Sequence, residues 1–291
     1  MKFGLSHHQD DAAVASSSAD LESTAKDSEA QAAQAAHIAE VEARIEAPLT
    51  FKAYLTCSFG AFGGILFGYD SGYISGVYGM DYFIEHFANK DPATTPSDEF
   101  VMASWQKSLI TSILSAGTFF GAIIAGDLAD FIGRRTVVIS GCIIFIIGVI
   151  LQTASSAIAL LVVGRLIAGF GIGFVSAVII LYMSEIAPRK VRGALVSGYQ
   201  FCVTLGLLIA SCVDYGTEHY NNSGSYRIPI AIQMLWATIL GVGLFLLPES
   251  PRYFVKKGSI DKATKSLARL RGQPADSQLI SNHGWLVSKV V

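Results

Sequence analysis

Six stretches of about 20 predominantly apolar residues dominate the chain, and that is the length a helix needs to cross the hydrocarbon core of a bilayer. They lie at roughly Ala53 to Val77, Ser108 to Ala125, Thr136 to Thr153, Ala159 to Tyr182, Ala194 to Val213 and Ile228 to Leu247. Of the 291 residues 52% are hydrophobic and only 15% charged, where an ordinary soluble domain carries roughly 25% charge. Nearly every Lys and Arg sits between or outside the apolar runs. A soluble globular enzyme is thereby excluded, and the expected class is an all-α membrane protein. Three regions follow: residues 1–50 form a polar tail, disordered or partly helical, with an Ile38, Val41, Ile45 stripe at helical spacing; residues 51–247 form a six-helix transmembrane bundle; residues 248–291 form a polar segment.

Orientation is read from the short links. Arg134 and Arg135 follow the second run, Arg189, Lys190 and Arg192 the fourth, and Arg252, Lys256 and Lys257 the sixth; the alternate links hold little positive charge. The positive-inside rule then puts both termini in the cytoplasm. Met1 to Leu21 lacks the apolar core of a signal peptide. The sequon Asn221-Asn222-Ser223 falls on the outer side, in a loop too short to favour glycosylation. A net charge of −2 offers no basic surface for nucleic acid. Cys57, Cys142, Cys202 and Cys212 lie in apolar runs without metal-ligand spacing, so no metal, cofactor or disulfide framework is expected.

Glycines recur every fourth residue in the first run, at Gly60, Gly64, Gly68, Gly72 and Gly76, with shorter small-residue rows at Gly117, Gly121, Ala125, at Gly169, Gly173, Ala177 and at Gly198, Cys202, Gly206, Ala210. Since lipid removes the hydrophobic drive between helices, such rows point to backbones packed closely together. Gly169 to Gly173 lies in mid-span without a preceding strand, which excludes a dinucleotide loop. Two charges sit inside the runs. Asp70 and Arg165 fall at similar depth, about 10 Å below the outer boundary, and a charge there costs at least about 2.5–3.5 kcal/mol unless it has a partner or a wet cavity. They are candidates for a pair serving helix packing, proton coupling or gating. Gln200 and Gln233 are neutral amides in otherwise apolar runs, able to donate and accept, and are candidate contacts for a hydroxyl-rich ligand.

The loop Gly126-Asp127-Leu128-Ala129-Asp130-Phe131-Ile132-Gly133-Arg134-Arg135 resembles the signature of the major facilitator superfamily. Phe67-Gly68-Tyr69-Asp70-Ser71-Gly72-Tyr73-Ile74-Ser75-Gly76, Gly164-Arg165, Tyr182-Met183-Ser184-Glu185-Ile186-Ala187-Pro188 with Arg192-Gly193, and Pro248-Glu249-Ser250-Pro251-Arg252 narrow the resemblance to its sugar porters, and within them to fungal hexose transporters. The resemblance runs from about Ala47 to about Pro274. Phe131, where a basic residue is common, and Ile180, where a Pro is frequent, depart from the pattern. Gln278 to Val291 does not resemble the family's central loop.

The resemblance implies the N-terminal half of the major facilitator fold, an inverted repeat of three plus three helices, in a protein of the plasma membrane. It implies a hexose-class monosaccharide as substrate, moved by alternating access with or without protons. Gln200 matches the family's sugar-binding Gln of the fifth span, and Asp70 with Arg165 the pair implicated in proton coupling. Asp130, Arg134, Arg135, Glu185, Arg192, Glu249 and Arg252 match the cytoplasmic salt-bridge network that holds the outward-facing state. Family members have about twelve spans, so transport requires a second six-helix half. A non-transporting sugar sensor or a truncated regulatory fragment is the alternative. An enzyme is not expected, because no Ser-His-Asp set, HExxH or paired intramembrane carboxylates occur in the spans.

Overall fold

The structure, a computed structural model, describes residues 58–87, 102–187 and 192–271. The N-terminal tail, Cys57, Arg189, Lys190 and the segment from Gln278 onward lie outside the described residues. Helices are α1 (Gly63–Val77), α2 (Asp81–Phe87), α3 (Ser104–Ile132), α4 (Arg134–Thr153), α5 (Ile158–Ile186), α6 (Arg192–Thr217), α7 (Gly224–Leu246), α8 (Pro251–Lys256) and α9 (Ile260–Arg271). Helices α3 to α7 are each long and apolar enough to cross a membrane. The first expected span is α1, whose leading residues fall outside the description. The helices overrun the apolar runs at their ends, as in α3, because polar residues such as Asp127 and Asp130 continue a helix beyond the hydrocarbon boundary at little cost. The short helix α2 and the pair α8 and α9 are too polar for a hydropathy reading to register.

The pairing of helices carries the internal symmetry. Helix α1 packs on α6, α3 on α5, α4 on α5 and α7, and α1 also on α7. Exchanging the first three spans (α1, α3, α4) for the last three (α5, α6, α7) maps the α1–α6 pair onto α5–α3, the α4–α5 pair onto α7–α1, and α4–α7 onto itself. A bundle with that property is built from two three-helix repeats, as inverted-repeat transporters are.

Glycine makes the tightest seams. A Cβ at Gly68 would collide with the Val203 backbone, and one at Gly206 would lie 2.8 Å from the Tyr69 amide nitrogen, so α1 and α6 touch backbone to backbone. Gly117, Gly121, Gly169 and Gly173 do the same for α3 and α5, and Gly141, Gly148, Gly164 and Gly171 for α4 and α5. Gly198 departs from the expectation: nothing lies within 4 Å of a Cβ built there, since it sits on the side of α6 turned away from α1. The outer surface is apolar, with Phe119, Phe120, Ile123, Ile143, Ile147, Val242 and Phe245 exposed as membrane-facing side chains are.

Candidate functional site

Three polar features interrupt the apolar bundle. The first lies in the third of the bundle away from the loop arginines. Arg165 is 1% exposed. Its Nε donates to the Ile110 carbonyl at 2.9 Å and its Nη1 to the Tyr73 hydroxyl at 2.6 Å, with the guanidinium 5.5 Å from the Tyr73 ring centre. Tyr73 donates in turn to Gln152 Oε1 at 2.8 Å, and Gln152 Nε2 to the Gly164 carbonyl at 3.4 Å. One buried network thus ties α1, α3, α4 and α5. Asp70, one turn from Tyr73, is equally buried, yet neither of its carboxylate oxygens has a hydrogen-bond partner among the described residues. The expected direct pairing of Asp70 with Arg165 is therefore not made; the Tyr73 hydroxyl and the Ile110 carbonyl take the guanidinium instead. The two charges nonetheless lie in one buried region, on helices that touch.

The second feature is a stripe on α6. Gln200, Thr204 and Ser211 are exposed on this helix, and Glu218, the residue just after its last turn, is exposed too. Spacings of 4, 11 and 18 residues from Gln200 return to nearly the same side at 3.6 residues per turn. Thr204 Oγ1 donates to the Gln200 main-chain carbonyl at 3.2 Å, and the Gln200 side chain is exposed. Gln233 differs: it is fully buried in α7 and neither amide atom has a hydrogen-bond partner among the described residues. The two amides differ in setting, Gln200 exposed on α6 and Gln233 in the interior on α7.

The third feature is a latch at the opposite end of the bundle. Gly133, at φ +104°, turns the chain between α3 and α4, and a Cβ there would lie 2.6 Å from Glu249 Oε2. Glu249 Oε1 accepts the amides of Arg135 and Ser250, both at 3.0 Å, so its carboxylate sits on the free N–H groups at the start of α4, where the helix dipole favours an anion. Arg134 pairs with Asp130 at 2.8 Å and with Glu185 at 3.2 Å, and Ser250 Oγ also binds Glu185. Arg135 donates to the Phe245 carbonyl at 2.6 Å, and Lys256 pairs with Asp130 at 2.8 Å. Asp130 lies beyond the membrane-spanning part of α3; the hydrogen bond from Lys256, with Arg134 adding its charge, holds its carboxyl below the usual carboxylate range. Two expected members stand apart. Arg192 donates to the Ala187 carbonyl at 3.4 Å, and Arg252 is exposed and makes no ion pair among the described residues.

Sequence reasoning missed Tyr73, Gln152, Ser250 and Asp214. Gln152 had a signal, as a large polar residue near the end of an apolar run. Asp214 lies one residue beyond the fifth apolar run, where hydropathy does not mark it as an intramembrane charge. Lys256 was counted for topology but not for the latch. Phe131, which departs from the family pattern, gives its carbonyl to the Tyr253 hydroxyl at 3.2 Å and its ring to Lys257 Nζ, 5.7 Å away.

Comparison with known proteins agrees with this architecture. A family model described as "Sugar (and other) transporter" matches residues 56–283. The chain is 49% identical over 246 residues to the major facilitator-type transporter ecdD of Aspergillus rugulosus, covering 82% of this chain and 45% of that one. It is 47% identical over 219 residues to the high glucose sensor RGT2 of Saccharomyces cerevisiae, covering 75% of this chain and 28% of the sensor. With the low-affinity glucose transporter HXT3 of the same yeast it shares 36% over 248 residues, 83% of this chain and 43% of the transporter. The chain thus spans less than half the length of these relatives. In fold it is similar to the xylose transporter XylE from E. coli in a partially occluded inward-open conformation, with a TM-score of 0.68 at 22% identity over 81% of this chain and 58% of that one. The chain belongs to the sugar transporter family of the major facilitator superfamily, and it matches half of that fold.

Proposed function

We propose that this chain forms one half of a hexose carrier of the plasma membrane, with both termini cytoplasmic, working by alternating access together with a second six-helix half. The observation that carries this reading is the exposed Gln200 amide on the polar stripe of α6. An amide left open on a membrane helix has neither lipid nor its own bundle to bond with, and a sugar hydroxyl can both donate to it and accept from it. The glucose transporters among the relatives make a hexose the natural substrate. The Asp130, Arg134, Glu185 and Glu249 latch ties the ends of α3, α4, α5 and α8 together at one end, so the route to Gln200 opens from the other while it holds. Breaking it needs a few kcal/mol of differential sugar binding, enough to swing a two-state equilibrium.

A graft tests this. Residues 1–271 joined to the second half of the HXT3 transporter, in yeast lacking hexose uptake, should take up D-glucose saturably. Gln200→Ala should then raise KM with little change in maximal rate, by about 2- to 12-fold for the loss of a hydrogen bond of net 0.5–1.5 kcal/mol. An unchanged KM removes Gln200 from the site. The 47% identity to a glucose sensor favours a second reading, binding without transport; it predicts a graft that binds D-glucose and takes none up.

A further inference from the structure

The last turns of α6 hold a feature that sugar binding at Gln200 does not use. At the end of the bundle away from the latch, a cleft of about 360 Å³ opens between α1 and α6, lined by Ser75, Gly76, Gly79, Ser211, Asp214 and Glu218 among others. Small-molecule sites start at roughly 300 Å³. Asp214 is 7% exposed, and its Oδ1 has no hydrogen-bond partner among the described residues. A Cβ at Gly76 would collide with its carboxylate, so glycine is what lets the carboxylate lie against α1. A buried carboxylate needs donors, and among the described residues none donates to Asp214 Oδ1, while the Ser211 hydroxyl is turned back to the Leu207 carbonyl at 3.1 Å.

The donors must come from what enters the cleft. A metal ion is a poor fit, since no group of three or more acidic, His or Cys ligands exists among the described residues. Two carboxylates one turn apart, over a floor of glycines that allows close approach, suit a molecule presenting several hydroxyls. Each carboxylate can accept from two neighbouring hydroxyls at once. The cleft also continues the stripe that carries Gln200, with Asp214 about 21 Å further along α6. The geometry points to a second hexose subsite at Asp214 and Glu218, filled as the sugar enters and before it reaches Gln200. This inference rests on the reading of the chain as a hexose carrier, but among the described residues its walls come from α1, α6 and the residues just after each.

A reporter cysteine in the chain reconstituted in lipid nanodiscs tests it. Gly79 lies at the exposed rim, where the nearest atom to an added Cβ is the Gly76 carbonyl oxygen at 3.4 Å, so Gly79→Cys is accommodated. In a background with Cys57, Cys202 and Cys212 changed to Ser, its alkylation by a bulky maleimide is followed with D-glucose and with L-glucose. At twice the dissociation constant two thirds of the sites are filled, so D-glucose should slow alkylation about threefold. Asp214→Asn and, separately, Glu218→Gln should abolish the protection, and Gln200→Ala should leave it intact. Absence of protection while the grafted carrier still transports D-glucose overturns the subsite and leaves the carrier reading standing. Absence of both overturns the two together. Protection that Gln200→Ala removes, or that L-glucose gives equally, also overturns it.

Discussion

Arg165 and Asp70 show how much one hydroxyl decides at the residue scale. Depth arithmetic places both charges at one level, but depth says nothing about azimuth. Tyr73, one turn further along α1, reaches the guanidinium while the Asp70 carboxylate stays without a hydrogen bond. Among the described residues Asp70 is not committed to an ion pair. Asp70→Asn keeps the shape but has no proton to transfer, so if the grafted carrier concentrates D-glucose by proton coupling, the variant should lose accumulation against a gradient while exchange of labelled sugar continues. Sugar-driven alkalinisation persisting in the variant refutes a proton role for Asp70. In the latch, burial separates strong contacts from weak ones. Arg134 and Glu185 have side chains 4% and 1% exposed, whereas Lys256 and Asp130 are both 48% exposed. Leaving a buried charge unpaired costs about 3–5 kcal/mol, and an exposed pair is worth about 0–1 kcal/mol. Glu185→Gln should therefore lower the thermal stability of the chain in detergent markedly, and Lys256→Ala hardly at all; equal shifts would refute the ranking. Because the Asp130 carboxyl is held below its ordinary range, its pairing is fully present above the unfolded Asp value and is lost only as pH falls through the lowered one.

At the scale of elements, the apolar runs located the spans well because hydropathy at 20-residue length is a strong signal. Short helices lying on the surface leave none. The glycine rows were also legible: of the five in α1's span, Gly64, Gly68, Gly72 and Gly76 each meet α6 and Gly60 meets Met183 of α5. A four-residue spacing fixes a face without saying which face meets a neighbour, and so Gly198 was grouped with Gly206 although only Gly206 is packed. The contrast is measurable. Gly68→Ala must push a methyl group into the Val203 backbone, where overpacking costs about 1–3 kcal/mol. Gly198→Ala meets open space and gains up to about 1 kcal/mol of helix propensity. Melting in nanodiscs should thus fall for the first and hold or rise for the second, and a fall in both would show that the α6 seam extends to Gly198.

For the whole molecule, the inverted repeat was reached from motifs, and the pairing of helices supplies its physical basis. The face bearing Gln200, with Phe201, Leu207 and Leu208 beside it, is uncovered by any described helix. On the proposed reading the site lies between two six-helix halves, and that face is the one the second half would cover. Among the described residues the α6 stripe is left uncovered, and each unsatisfied polar group facing lipid is costly. Reconstituted alone into liposomes, the chain should bind D-glucose at the outer cleft yet admit no labelled hexose, while the grafted twelve-span carrier does. Two copies assembling around an axis along the membrane normal are the one geometry that would supply both walls from this sequence. Saturable, stereospecific hexose entry into liposomes holding only this chain would establish such a dimer and overturn the requirement for a distinct second half.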